Sequence, residues 1–140
     1  MLNFTNWVCW KDRDLLGDPL NEQGLYLLAH FDAGPPDMIE LTREIIYVGI
    51  AGKTANSRIT IKRRLHSFNR SASGKNAPHS GGKKYFSQFG NIRSNLYVAV
   101  SAAMKKKGIE RSCHLLMMER ILIWRYVQRF EGKHPICNSE

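Results

Sequence analysis

Glu119 is a carboxylate in an apolar setting. Within the periodic segment Ile109 to Phe130 it shares a helical face with Leu115, Leu122, Ile123 and Tyr126, and its chain neighbours Met117, Met118 and Ile121 are apolar too. A carboxylate set into such a surface loses hydration unless a cation compensates it. The spacing allows two readings: a metal ligand, or a partly exposed glutamate paired with a nearby arginine. Arg120, Arg125 and Arg129 lie on the same segment, directed outward, where they touch phosphates or keep the helix soluble. Tyr26 and Tyr47 each interrupt an aliphatic run close to a glycine. A buried phenol needs a partner, although sheet-face packing accounts for either tyrosine taken alone. His79 sits in the polar stretch KNAPHSGG, with no core to fill, and reads as a solvent-exposed loop residue; His66 reads as the exposed side of a basic helix.

The elements that position these groups follow from periodicity. Gly24 to Phe31 and Glu44 to Ile50 are compact apolar runs that predict two strands, antiparallel neighbours joined by a long loop rich in Gly and Pro. From Ile59 to Phe68 the pattern is helical: Ile61, Leu65 and Phe68 form one stripe, with Arg64 at its border. Asn69 to Gly82 is rich in Ser, Gly and Asn and predicts a loop, followed by a short helix from Lys83 to Phe89 stopped by Gly90. Asn95 to Val100 alternates as a third strand, and Ile109 to Phe130 is the longest helix, ended by Gly132 and Pro135. Residues 1–21 read as an N-terminal extension packing on a domain that spans 22–140, with Trp7, Val8 and Trp10 available to its core.

Bulk properties narrow the function classes. A chain of 140 residues with 43% hydrophobic content suits one folded domain. The formal charge of +9 favours polyanionic partners, nucleic acid first among them. Cys9, Cys113 and Cys137 are widely spaced and odd in number, which argues against a disulfide framework or a structural zinc site and for a reducing, cytoplasmic setting. No apolar run approaches the ~18 residues of a membrane span, and no secretion signal opens the chain. Gly81–Gly82–Lys83–Lys84 lacks the spacing of a phosphate loop, and zincin and zinc-deaminase signatures are missing.

The ordered set resembles the GIY-YIG nuclease superfamily. Gly24–Leu25–Tyr26 and Tyr47–Val48–Gly49 stand for the two name-giving tripeptides, Ile61–Lys62–Arg63–Arg64–Leu65 for the arginine helix, Met118–Glu119–Arg120 for the glutamate helix, and Asn138 for the late asparagine. The resemblance runs from Gly24 to Asn138. It implies an α/β protein of the α+β type, with a small, mainly antiparallel three-stranded sheet flanked by helices. His79–Ser80 followed by Phe86, Phe89 and Gly90–Asn91 resembles the phage homing-endonuclease branch. The insertion after Gly49 and the segment Pro135–Ile136–Cys137–Asn138 resemble the restriction enzymes, with Cys137 where tryptophan is expected. Arg58 lies nearer the minimal family spacing from Gly49 than Arg64, whose local context fits better. Phe68 occupies a place where relatives often carry His or Tyr, which moves a polar function toward His79.

What the resemblance implies is a divalent-metal-dependent endonuclease. Glu119 would hold one Mg²⁺ or Mn²⁺, and Arg64 would fork onto the phosphate. Tyr26 would take or relay the proton of the attacking water, its pKa lowered by nearby positive charge, while Tyr47 orients water or phosphate. His79 would assist proton transfer, and Asn138 would hydrogen-bond within the site or hold the helix end. Arg58, Arg63, Lys83, Lys84, Arg93, Lys105, Lys106 and Lys107 would carry backbone affinity for DNA, duplex ahead of other forms. A homodimer is compatible with these features, as is a monomer. A non-catalytic nucleic-acid-binding module on the same fold is the alternative.

Overall fold

The computed structural model describes residues 3–103 and 106–138. Four strands, β1 (Val8–Cys9), β2 (Gly24–His30), β3 (Ile45–Ala51) and β4 (Leu96–Ala102), form one antiparallel sheet in the order β1-β4-β2-β3. Three helices flank it: α1 (Ile61–Ala72), α2 (Ser80–Phe89) and α3 (Gly108–Arg129). This is a small α+β fold built on an antiparallel sheet between helices.

Both sheet faces are covered, which is why the strands read as unbroken apolar runs rather than as polar–apolar alternation. Tyr26, Leu28, Tyr47, Leu96, Val98 and Val100 face α1 and α2. Leu27, Ala29, Ile45, Val48 and Ala99 pack on the opposite side with Tyr126 of α3, and Leu25 and Ile50 with its Leu115. β2 and β3 are antiparallel neighbours, with Tyr26 opposite Gly49 and Leu28 opposite Tyr47.

The expected three strands become four. Val8 pairs with Val98 and Cys9 with Tyr97, and Thr5 N–H donates to Val100 O at 2.8 Å. The unpaired backbone of β4 is thereby satisfied by the N-terminal segment. The rest of that segment folds as two short 3-10 turns, Trp10–Leu16 and Asp18–Asn21, whose Trp10, Leu16 and Leu20 enter the main core. The segment therefore contributes to the main core.

The loop expected over Asn69 to Gly82 shrinks from both ends. α1 begins at Ile61, where the Thr60 side chain accepts from Arg63 N, and continues to Ala72. α2 begins at Ser80, with His79 as its N-cap. The small residues there are a packing requirement and not a loop composition. A Cβ on Gly82 would stand 2.6 Å from Ser71 Cβ and 2.8 Å from Phe68 O, so α2 rests directly on the α1 backbone.

Gly49 has a similar reason. A Cβ there would meet Tyr26 Cζ at 2.2 Å, because the phenol ring lies across the neighbouring strand. Tyr26 is fully buried and has nowhere to move. Gly49→Ala is therefore expected to destabilise the fold by about 1–3 kcal/mol through overpacking. Thermal denaturation measures it; an unchanged Tm would mean that the ring does not lie over Gly49.

Candidate active site

The two helical layers sit on opposite faces of the sheet and approach each other around the outer edge of β3. A cavity of about 470 Å³ opens there. Tyr47 from β3, Arg64 from α1, Glu119 and Arg120 from α3, Ser80 from α2 and Asn138 from the tail all line it. The loop after β3 completes the wall with Gly52, Lys53, Thr54, Ser57 and Ile59. Groups from β3 and the loop after it, the three helices and the tail, six regions in all, thus share one opening.

Glu119 is half-buried, and burial raises its carboxyl above the ordinary range, with Arg120 and then Lys53 pulling the other way. Arg64 is also half-buried; its Nε is shielded from solvent and has no hydrogen-bond partner among the described residues. Arg58 lies elsewhere, around a separate depression with Glu22, Gln23, Lys107 and Arg111. Of the two arginines weighed from the sequence, Arg64 is the one that lines the same cavity as Glu119.

Tyr26 stands behind Tyr47. Their rings are 5.9 Å apart, yet only Tyr47 lines the cavity. The expected lowering of the Tyr26 pKa is reversed: burial, then the neighbouring Tyr47, push it well above the ordinary phenol value, against the weaker pull of Arg64. Burial also raises Tyr47, opposed by Arg64 and reinforced by Glu119. Desolvation wins because no water reaches the Tyr26 ring.

His79 is not an exposed loop residue; it is fully buried. Its Nδ1 accepts from Gly82 N at 3.1 Å, so in the neutral ring Nε2 carries the proton and donates to Tyr26 Oη at 2.8 Å. Its ring also packs edge-on against Phe68, 5.3 Å away. Burial, and then Arg64, depress its pKa to about 3. His79 accordingly orients Tyr26 and is ill suited to accept a proton. Its low pKa also makes the fold acid-sensitive. The unfolded histidine takes up a proton below its ordinary 6.5 while the folded one does not, so stability present above that pH falls progressively toward about 3. His30, lowered to about 4 by burial and by Arg93, acts in the same direction. Denaturant titrations between pH 7.5 and 4.5 are expected to show His79→Gln declining less steeply, by about one proton, than the unmodified chain. Parallel declines would remove His79 as a source.

Asn138 is held by the edge of β3. Its Oδ1 accepts from Val48 N and its Nδ2 donates to Val48 O, both at 2.9 Å, while Cys137 N–H donates to Ile46 O. The tail therefore pairs with β3 as an added strand would, and the Asn138 amide is committed there. This holds Asn138 on the same cavity wall as Tyr47.

Among the described residues, the remaining cations are found in several different surroundings. Arg63 and Lys83 are exposed, and Lys84 Nζ donates to Asn138 O at 3.0 Å. Arg93 covers the Phe89 ring, and Lys107 borders the Arg58 depression. Lys106 lines a groove with Thr5 and His114, and Lys105 lies outside the described residues. Sequence periodicity missed Lys53 and Ser80, which sit in irregular chain or at a helix start. It also missed Arg111, buried in the first turn of α3, whose Nη2 donates to Thr54 O at 2.8 Å. With Ser112 Oγ donating to Lys53 O at 2.6 Å, it ties the cavity loop down.

Comparison of the chain with protein-family models, with curated proteins and with solved structures gave no match. Among the described residues, no helix is long and apolar enough to cross a membrane.

Proposed function

We propose that this protein is a divalent-metal-dependent endonuclease of the GIY-YIG type, hydrolysing phosphodiester bonds, with DNA as the first substrate to test. The observation that carries the proposal is the convergence of Tyr47, Arg64 and Glu119, from three different elements, on one cavity.

Among the described residues no cluster of three or more His, Cys, Asp or Glu could enclose a cation. The donors fit an ion held by a single carboxylate, Glu119, that takes its other ligands from water and phosphate oxygens, as Mg²⁺ commonly does. When bound, such an ion supplies positive charge for the phosphate and leaving oxygens. The chain's own groups do the rest. Arg64, on the cavity wall, would supply the fork for a phosphate. The α2 N-terminus, with Ser80 on the cavity wall, adds the positive end of a helix dipole. Lys53 and Arg120 contribute further positive charge at the rim. Tyr47 offers its hydroxyl to orient the attacking water, backed by Tyr26, whose own hydroxyl is held by His79. Asn138 and Arg111 keep β3 and the cavity loop in place.

The test is a cleavage assay on plasmid, linear duplex, single-stranded and branched DNA, and on RNA, with Mg²⁺ or Mn²⁺ and with chelator. Cleavage with either metal and none with chelator is the expected result. Binding without cleavage on every substrate would replace the enzyme reading by that of a nucleic-acid-binding module.

A further inference from the structure

Trp124 is the one tryptophan of this chain that faces solvent. It is 59% exposed, whereas Trp7 and Trp10 are 7% and 4% exposed. Its place on α3 is specific. Arg120 and Ile123 line the cavity. Trp124 follows Arg120 by one helical turn and Ile123 by one residue, which sets it on α3 next to the positions that line the cavity. Met117, 52% exposed, lies two turns back on the same stripe. Arg125 and Arg129 are exposed beyond it, and Glu119, inside the cavity, is the sole acid between Met117 and Phe130.

An apolar ring framed by arginines is poorly matched to a second copy of a chain that carries a charge of +9. It matches a ligand that is flat, aromatic and anionic. A nucleobase carried on a phosphate chain has these properties, with the base on the indole and neighbouring phosphates on Arg120 and Arg125. In continuous duplex both faces of a base are covered by its neighbours. Stacking on a side chain therefore requires a base released from the stack.

We propose that Trp124 is a stacking platform for an unpaired nucleobase next to the phosphate in the cavity. This rests on the nuclease reading and sharpens it: the preferred substrate carries a single-stranded element beside the cut, such as a flap, loop or branch, rather than uninterrupted duplex.

The test uses the full chain in chelator, so that binding is read without cleavage. Three ligands are compared: a blunt DNA hairpin, the same hairpin with a short thymidine flap, and the same flap made abasic, which keeps its phosphates and loses its bases. The thymidine flap is expected to quench the long-wavelength tryptophan emission and to bind about tenfold more tightly than the blunt hairpin. Both effects should vanish with the abasic flap. Trp124→Ala should lose the affinity gain and Trp124→Phe should keep part of it, with circular dichroism of both variants matching the unmodified chain. Equal binding of the thymidine and abasic flaps, or flap binding with unquenched emission, would overturn the stacking role while leaving the nuclease reading standing. Failure to bind any nucleic acid would overturn both. A dimer in sedimentation whose dissociation tracks Trp124→Ala would reassign the stripe to self-association.

Discussion

Glu119→Gln is expected to lower divalent-dependent cleavage by at least about a thousandfold while nucleic-acid binding persists. The substitution keeps the shape of the side chain and removes the charge that would hold the cation. Three measurements separate this from damage to the fold. Binding to DNA in chelator should be retained, because Arg64, Lys53, Arg120 and the α2 N-terminus are untouched. Mg²⁺ should raise the Tm of the unmodified chain and not that of the variant, since a ligand stabilises only the state that binds it. Stability without metal should be equal or higher in the variant. Burial raises the Glu119 pKa, so its contribution is greatest below the unfolded carboxyl pKa and is lost as pH rises through the folded one. At pH 8 the ionised group opposes folding, and glutamine relieves that. Cleavage by Glu119→Gln at the unmodified rate would remove Glu119 from the mechanism.

Arg64→Ala carries the second large effect, a loss of about 10²- to 10³-fold in cleavage. Arg64→Lys should recover little of it. Lysine restores a charge and not the planar fork, and its ammonium must be desolvated at a half-buried site. Arg58→Ala is the matched control and should cleave close to the unmodified rate, because Arg58 borders a different depression. An independent readout comes from His79. Arg64 is the second cause, after burial, of its depressed pKa of about 3, so Arg64→Ala should move the His79 titration upward in NMR. Greater loss from Arg58→Ala than from Arg64→Ala would exchange their roles.

Much of the fold was legible. Strands with both faces buried read as dense apolar runs, and the sequence boundaries of β2, β3 and β4 agree with the structure to within a residue or two. The stripe Ile61, Leu65 and Phe68 and the long periodic segment of α3 announced their helices. The N-terminal segment was harder. A two-residue strand has no periodicity to detect, and β1 exists because β4 offers it an open edge. The α1–α2 connection was misread because Ser71, Gly81 and Gly82 have loop composition, and only the closeness of the two helices explains why small residues stand there.

For the site, the sequence by itself determined the candidate groups: one glutamate in an apolar helical face, an arginine at the border of an apolar stripe, and two strand tyrosines near glycines. These are local signals, because amphipathic periodicity shows which side chains leave the pattern. The tertiary structure alone decided how they are arranged. It put Tyr47 at the cavity and Tyr26 behind it, set Arg64 rather than Arg58 on the cavity that Glu119 lines, buried His79 against Tyr26, and bound Asn138 to Val48. Each of these depends on contacts between residues far apart in the chain and on which atoms lose water when the layers close. Desolvation, which reversed the expected shift of Tyr26, is a property of the packed layers and has no signature in the order of residues.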